Sequence, residues 1–201
     1  MKKCLMGLAL AALVAGCTTP TTRIDVRNDL GPQVAGLDYR DVQIAANQML
    51  QSLYQSGRLD RADGQQYVMT VGKVTNDTMQ RFDTDILTSS ITQELMKGGK
   101  VVVTSAMAAS ASNRDEMVNG VRTVRNNPEF NQNTVPQAGQ LVAPSHSVYG
   151  KIIQREIRMD NGDKQVEYYF QLRIVELATG LQWWQNQTLI GKRTDGRTPT
   201  W

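Results

Sequence analysis

The chain has 201 residues, with 22 Lys and Arg against 19 Asp and Glu, one His and two Cys. A formal net charge of +3 is too small to draw the whole molecule onto nucleic acid. This length allows a single domain built around one hydrophobic core.

The first segment is typical of a bacterial lipoprotein signal. Two lysines precede an apolar run over residues 5–14, which is too short to span a bilayer. Small residues then lead directly into Cys17. We therefore expect residues 1–16 to be cleaved and the Cys17 thiol to carry fatty acyl chains, each buried methylene contributing about 0.8 kcal/mol of membrane affinity. Thr18, where inner-membrane lipoproteins tend to have Asp, predicts the outer membrane.

Cleavage at this point would change the chemistry available to the chain. Cys4 leaves with the signal and Cys17 becomes a thioether, so the mature chain has neither a free thiol nor a possible disulfide. A cysteine nucleophile and a cysteine-based metal site are therefore excluded. Loss of Lys2 and Lys3 lowers the basic residues from 22 to 20 against 19 acidic ones, a net side-chain charge of about +1.

A polar segment follows the predicted lipidated cysteine. Pro20, Gly31, Pro32 and Gly36 interrupt it and favour a flexible tether over residues 17–37. The ends of such a coil would lie about 25 Å apart on average, and about 70 Å apart at full stretch. We predict one globular domain over residues 38–201.

The first part of this domain alternates between helical and strand patterns. Apolar residues recur at intervals of three and four over residues 38–59 and 84–97, which predicts two amphipathic helices, the first capped by Asp38. Residues 66–75 and 101–103 are predicted strands, 113–125 a helix and 126–140 a loop. In the second helix we expect five side chains to face inward: Ile86, Leu87, Ile91, Leu95 and Met96.

The last third of the chain is predicted to form strands over residues 147–159, 164–177 and 181–190. Asn161-Gly162 and Thr179-Gly180 provide the turns. In the middle strand one face is apolar and the other polar, which indicates a sheet that is buried on one side only. The predicted fold class is therefore α+β, with a mostly antiparallel sheet, a C-terminal three-stranded meander and flanking helices.

The sequence offers little that predicts catalysis. His146 is the only histidine and is expected in a loop or at a strand edge, so no zinc site of ordinary ligand count can form. There is no nucleophile elbow and no glycine-rich phosphate loop. Asp160-Asn161-Gly162-Asp163 fits a hairpin tip better than a calcium loop. We predict no enzyme activity, no metal and no cofactor, and neither a nucleic acid nor a small molecule as ligand.

A protein surface is the better candidate for function. Basic residues concentrate in the predicted meander, where they either form a positive strip for an acidic partner or share a solvated face with Glu156, Glu167 and Glu176. Of the adjacent pair Trp183-Trp184, one ring is expected in the core and the other exposed. The predicted partner-binding residues are Lys151, Arg155, Arg158, Lys164, Arg173 and Trp184, with Lys192 and Arg193 in the same basic region.

Several stretches together resemble a known family. They are residues 71–78 (VGKVTNDT), 94–100 (ELMKGGK), 149–152 (YGKI), 168–170 (YYF), 177–180 (LATG) and Trp183-Trp184. Their order and spacing resemble the LpoB family of lipoprotein activators, whose domain is related to the N-terminal domain of TolB. The resemblance covers about residues 38–193.

The resemblance implies a non-catalytic role. Such an activator is anchored in the outer membrane and binds a small regulatory domain of a class A penicillin-binding protein, a bifunctional peptidoglycan synthase, which it stimulates. The tether predicted here, residues 17–37, is shorter than the Pro- and Gln-rich tether of enteric members. A short reach favours the alternative, an envelope assembly or secretion accessory of the same fold that binds another periplasmic protein.

Overall fold

A computed structural model describes residues 23–26, 28, 31, 34–107 and 114–199. The predicted signal peptide and Cys17 lie outside these residues. The chain divides into two units, residues 1–31 and 32–201. In the first unit, the side-chain amide of Asn28 donates to the Asp25 carboxylate at 2.7 Å. Among the described residues, no helix is both long enough and apolar enough to cross a membrane.

The second unit holds the predicted α+β fold. Its helices are α1 (Tyr39–Gln55), α2 (Asp85–Lys97) and α3 (Met117–Thr123), and its strands are β1 (Tyr67–Asp77), β2 (Val101–Val103), β3 (His146–Arg158), β4 (Lys164–Glu176) and β5 (Gln182–Thr194). The five strands form one sheet in the order β2-β1-β3-β4-β5. The predicted meander is confirmed, since β3 with β4 and β4 with β5 are antiparallel. β1 is parallel to both of its neighbours, a pairing that the sequence analysis did not predict.

The first helix begins at the predicted cap. The Asp38 carboxylate accepts hydrogen bonds from the backbone N–H groups of Arg40 and Asp41, and the Asp41 side chain accepts one from the Asp38 N–H. This reciprocal capping box satisfies donors that the first helical turn leaves without partners. The chain leaves α1 through Gly57, which has a φ of 68°.

The hydrophobic core lies between one face of the sheet and helices α1 and α2. Both helices contribute to it, together with the five even-numbered apolar side chains of β4, which are at most 1% exposed: Val166, Tyr168, Phe170, Leu172 and Ile174. The predicted apolar face of this strand is thus confirmed. In α2 the prediction was partly wrong, because Leu87, Ile91 and Leu95 are buried whereas Ile86 and Met96 are 55% and 51% exposed. The stripe of buried residues is narrower than the apolar pattern suggested.

The long connection from β2 to β3 starts on the other face of the sheet. The chain moves from β1 to β2 with α2 on the core face, and then passes back over β1 to reach β3. A right-handed return must therefore cross the opposite face. The Thr70 hydroxyl, between core residues Met69 and Val71, accordingly donates to the Met107 carbonyl oxygen at 2.6 Å. Within this connection α3 is shorter than the predicted helix and has no buried residue.

A glycine in β3 is required for close packing of two strands. A Cβ atom added at Gly150 would lie 2.8 Å from the backbone carbonyl oxygen of Gln171 in β4, whereas one added at Gly191 in β5 would meet no atom within 4 Å. We expect Gly150→Ala to lower the free energy of unfolding by about 1–3 kcal/mol, because backbone must move. Gly191→Ala should change it by less than about 0.5 kcal/mol. Urea unfolding of both variants tests this, and equal effects would contradict it.

Residues 34–37, placed by the sequence at the end of the tether, are hydrogen-bonded to the domain. The Lys192 ammonium donates to the carbonyl oxygens of Val34 and Gly36 at 3.1 and 2.6 Å. The Gln80 side chain accepts from the Leu37 N–H at 2.8 Å. Lys192 also lies 2.5 Å from the Asp41 carboxylate, with both side chains nearly buried. Lys192 therefore joins the N-terminus of α1 to β5 and does not belong to an exposed basic strip.

Candidate partner-binding surface

The side chains of β3, β4 and β5 that point away from the helices form a surface that we call the open face. They are the odd-numbered residues of β3, of β4 and, from Gln185 onward, of β5, and none of them is buried. The surface combines aromatic, aliphatic, amide and charged side chains, including Tyr149, Ile153, Tyr169, Gln171, Gln187 and Leu189. Each of these side chains is half-buried or exposed, so the described residues leave this surface accessible.

The structure divides the predicted basic residues between two faces. Lys151, Arg155 and Arg173 are odd-numbered and lie on the open face. Arg158 and Lys164 pair directly across the β3–β4 hairpin, but they are even-numbered and belong to the opposite face. The sequence indicates only that these five residues lie in strands. The alternation of side chains, once the position of the helices is known, assigns them to different faces.

The two tryptophans do not lie as predicted. Trp184 is 8% exposed and belongs to the core, so its assignment to the partner surface was wrong. Ile174 lies opposite Trp184 and Val175 opposite Gln182, which leaves Trp183 as the extra residue of a β-bulge. A bulge interrupts the alternation of side chains, and Trp183 accordingly packs, partly buried, against the same core.

The net charge of the open face is positive. It carries Lys151, Arg155, Arg173 and Arg193 against Glu167, four basic groups minus one acidic group, or +3. The other two glutamates considered in the sequence analysis, Glu156 and Glu176, are even-numbered and lie on the opposite face. The arrangement therefore favours the positive strip over the evenly mixed surface.

Two of these cations have partners nearby. Lys151 lies 2.6 Å from the carboxylate of Asp77 in β1. Arg155 lies opposite Glu167, whose carboxylate accepts hydrogen bonds from Tyr169 at 2.6 Å and from Gln165 at 2.8 Å. The Tyr169 bond is the main cause that lowers the pKa of Glu167, and it raises the pKa of Tyr169 in turn. Glu167 therefore stays ionised at neutral pH, and the hydrogen bonds from Tyr169 and Gln165 hold its carboxylate in place.

Arg173 and Arg193 have no ion-pair partner among the residues that the structure describes. Arg173 lies between Tyr149 of β3 and Gln185 of β5. It lines a shallow pocket of about 200 Å³ with Gln171, Gln185, Asn186 and Gln187. A guanidinium among amide groups can donate to a carboxylate in a planar, bidentate geometry. These two arginines are therefore the open-face cations most available to an acidic partner.

At one end of the sheet, His146 belongs to an aromatic cluster. It is 3% exposed, and its ring lies 5.1 Å from that of Tyr67 and 4.7 Å from that of Trp183. Its Nδ1 is 2.9 Å from the Ser145 hydroxyl, whereas Nε2 is buried without a hydrogen-bond partner. His146 is the first residue of β3, as the strand-edge expectation allowed, and it packs in the interior.

This environment makes the stability of the domain depend on pH. Burial lowers the pKa of His146 from its ordinary 6.5, Arg61 lowers it further and Glu176 opposes the shift. The folded state binds the proton less readily than the unfolded state, so stability is full above about pH 6.5 and declines as the pH falls toward the lowered pKa. We expect His146→Phe to remove this decline between pH 7.5 and 5.5 in urea unfolding. If the stability of the variant declined with pH as that of the unaltered protein does, titratable groups other than His146 would cause the decline.

Among the described residues, no group of three or more His, Cys, Asp or Glu side chains comes together that could hold a metal ion. The polar features of the open face are amide and guanidinium groups with aromatic rings. Such residues are suited to recognising another molecule by hydrogen bonds and burial of apolar surface.

Comparison with known proteins agrees with the resemblance noted from the sequence. The family model described as peptidoglycan-synthase activator LpoB matches residues 41–190, which include every helix and strand of the domain except the ends of α1 and β5. The chain belongs to the LpoB family. Its members are peptidoglycan-synthase activators, a regulatory rather than an enzymatic class. No curated protein sequence is significantly similar to the chain.

The chain is also similar to several solved structures at low sequence identity. The C-terminal domain of LpoB from Salmonella enterica is 14% identical with a TM-score of 0.44, and the match covers 75% of this chain and 98% of that one. The same domain from Escherichia coli is 13% identical with a TM-score of 0.43, and the match covers 73% of this chain and 98% of that one. A PelC dodecamer from Paraburkholderia phytofirmans is 15% identical with a TM-score of 0.34, and the match covers 67% of this chain and 76% of that one.

Proposed function

We propose that this LpoB-family chain is an outer-membrane lipoprotein, anchored through Cys17, that binds a periplasmic regulatory domain of a class A penicillin-binding protein and stimulates it. The family match over residues 41–190 is the observation that carries the activator role. The lipoprotein signal read from the sequence supports the anchor. The open face, where Arg173 and Arg193 have no ion-pair partner among the described residues, is the surface that we assign to the synthase.

Activation in this scheme is a shift between two states of the synthase. A regulatory protein changes that equilibrium only by binding the active state more tightly than the inactive one. A tenfold preference corresponds to about 1.4 kcal/mol. The fixed cluster of Arg155, Glu167 and Tyr169 supplies a rigid part of the surface, and preorganised groups lose less entropy on binding. No group of the lipoprotein itself has to perform chemistry.

The reach of the anchored domain limits the geometry of the complex. Because residues 34–37 are hydrogen-bonded to the domain, we take the tether predicted from the sequence to end at residue 33, which leaves residues 18–33. At about 3.5 Å per residue they extend to about 55 Å. Such a tether favours a synthase domain that projects well away from the inner membrane. It equally supports the second candidate, an accessory protein that binds a partner close to the outer membrane.

Co-purification tests the two candidates against each other. The full-length lipoprotein, tagged at its C-terminus, would be purified from detergent-solubilised envelopes and the captured proteins identified by mass spectrometry. The proposal predicts a class A penicillin-binding protein that is lost when Arg173 and Arg193 are changed to Glu. Capture of another envelope protein without any synthase would favour the accessory role.

A further inference from the structure

The outer edge of β5 offers a second kind of contact, through backbone rather than side chains. β5 is the last strand of the sheet and runs from Gln182 to Thr194, longer than the usual strand of about five or six residues. Long edge strands are normally protected by proline, by charges or by bulges, because their free N–H and C=O groups pair readily with another strand. Here the bulge is confined to Trp183, and the only charged residues are Lys192 and Arg193 near the other end.

One hydrogen bond shows which residues turn their backbone outward. The Gln187 N–H donates to the Asn186 side-chain oxygen at 2.8 Å and so is not directed at β4. In antiparallel pairing, successive residues direct their N–H and C=O groups alternately to the neighbouring strand and away from it. The residues with outward backbone groups are therefore Gln185, Gln187, Leu189, Gly191 and Arg193. All five lie on the open face, and Gly191 is the one without a side chain there.

We propose that this edge accepts an extended segment of the synthase as a sixth strand, with an acidic side chain on the open-face side. This inference rests on the proposed function and names how the partner is held. An added strand pairs its backbone with β5 and carries alternate side chains onto the open face. There an acidic side chain meets Arg193 or, across β5, Arg173. The Asn186 side chain protects one N–H in the absence of the partner and is displaced by it.

Charge favours a foreign strand over a second copy of this chain. The charged residues of β5, Lys192 and Arg193, are both basic, so pairing two β5 edges brings no acid to either arginine. Leu189, which is 53% exposed, gives the incoming strand an apolar contact beside the charges. Backbone pairing supplies affinity, while the apolar and acidic side chains of the added strand supply specificity.

Amide hydrogen exchange, read residue by residue by NMR, tests strand addition directly. The full-length chain would be measured alone and with the purified periplasmic portion of the class A penicillin-binding protein. We expect the N–H groups of Gln187, Leu189 and Gly191 to exchange at least tenfold more slowly in the complex. Those of Thr188 and Ile190, already directed at β4, should change little. A complex in which the odd-numbered amides keep their exchange rates would overturn strand addition.

A matched pair of variants gives an independent measurement. Leu189→Pro removes one outward N–H at an edge position where proline is tolerated, and Leu189→Ala removes the side chain but keeps the N–H. Strand addition predicts at least a tenfold loss of affinity for the proline variant, and less than a threefold loss for the alanine variant. Equal losses would overturn it in favour of a side-chain contact. If the unaltered chain formed no complex with the synthase, the proposed function would be overturned together with strand addition. If a complex formed but the amide exchange rates did not change, only strand addition would be overturned.

Discussion

Changing Arg173 and Arg193 together to Glu should weaken binding of the synthase about a hundredfold. Both guanidinium groups lie on the open face and lack ion-pair partners among the described residues, so an acidic partner surface would meet two negative charges instead of two positive ones. We take about 1.4 kcal/mol, or a factor of ten, for each reversal. Affinity is best measured by titration at low and at physiological salt, since screening weakens such contacts.

The chain provides a control with the same change in net charge. Arg158→Glu with Lys164→Glu also replaces two basic residues by two acidic ones, but on the opposite face at the β3–β4 hairpin. This variant should keep its affinity within about threefold, because its charges do not face the partner. Equal weakening by the two double variants would mean that overall charge, and not the open face, governs binding.

Replacing Lys192 by Met should lower the free energy of unfolding by about 3–5 kcal/mol. The Lys192 and Asp41 side chains are only 8% and 11% exposed, so the variant leaves a nearly buried carboxylate without its cation. It also removes the donor to the carbonyl oxygens of residues 34 and 36. Urea unfolding at pH 7 would measure the loss, and Asp41→Asn added to Lys192→Met should recover part of it.

Lys151→Met is the matched control for this prediction. Lys151 and Asp77 also form an ion pair at 2.6 Å, but their side chains are 42% and 58% exposed. Exposed pairs contribute about 0–1 kcal/mol, so this variant should unfold at nearly the same urea concentration as the unaltered protein. If Lys192→Met lowered the free energy of unfolding as little as Lys151→Met, the Lys192–Asp41 pair would not be what holds residues 34–37 and the start of α1 to β5.

The elements that the sequence predicted best are those with a regular period. The alternation in β4 identified its whole buried row, and Asp38 identified the start of α1 because its capping chemistry is local. Pairing between distant strands is not local. Nothing in the residues of β1 shows that it lies parallel to both β2 and β3, since a strand buried on both faces has the same apolar composition in either orientation.

The residues of the candidate surface were harder to assign for the same reason. A basic residue in a strand lies on one of the two faces of the sheet. Which face is exposed to solvent depends on where the helices pack. Lys192 was grouped with exposed cations because its partner Asp41 is remote in sequence. The β-bulge at Trp183 turns the side chain of this one residue to the core face. No glycine or proline at that position in the sequence indicates a bulge.

Activation of the synthase is tested by the rate of glycan polymerisation by a purified class A penicillin-binding protein, with and without this chain. We expect the unaltered chain to raise the rate and the Arg158→Glu, Lys164→Glu variant to raise it equally. The Arg173→Glu, Arg193→Glu variant should not raise it. A polymerisation rate that is the same with and without the unaltered chain, under conditions where the two proteins bind, would contradict activation as the role of this LpoB-family protein.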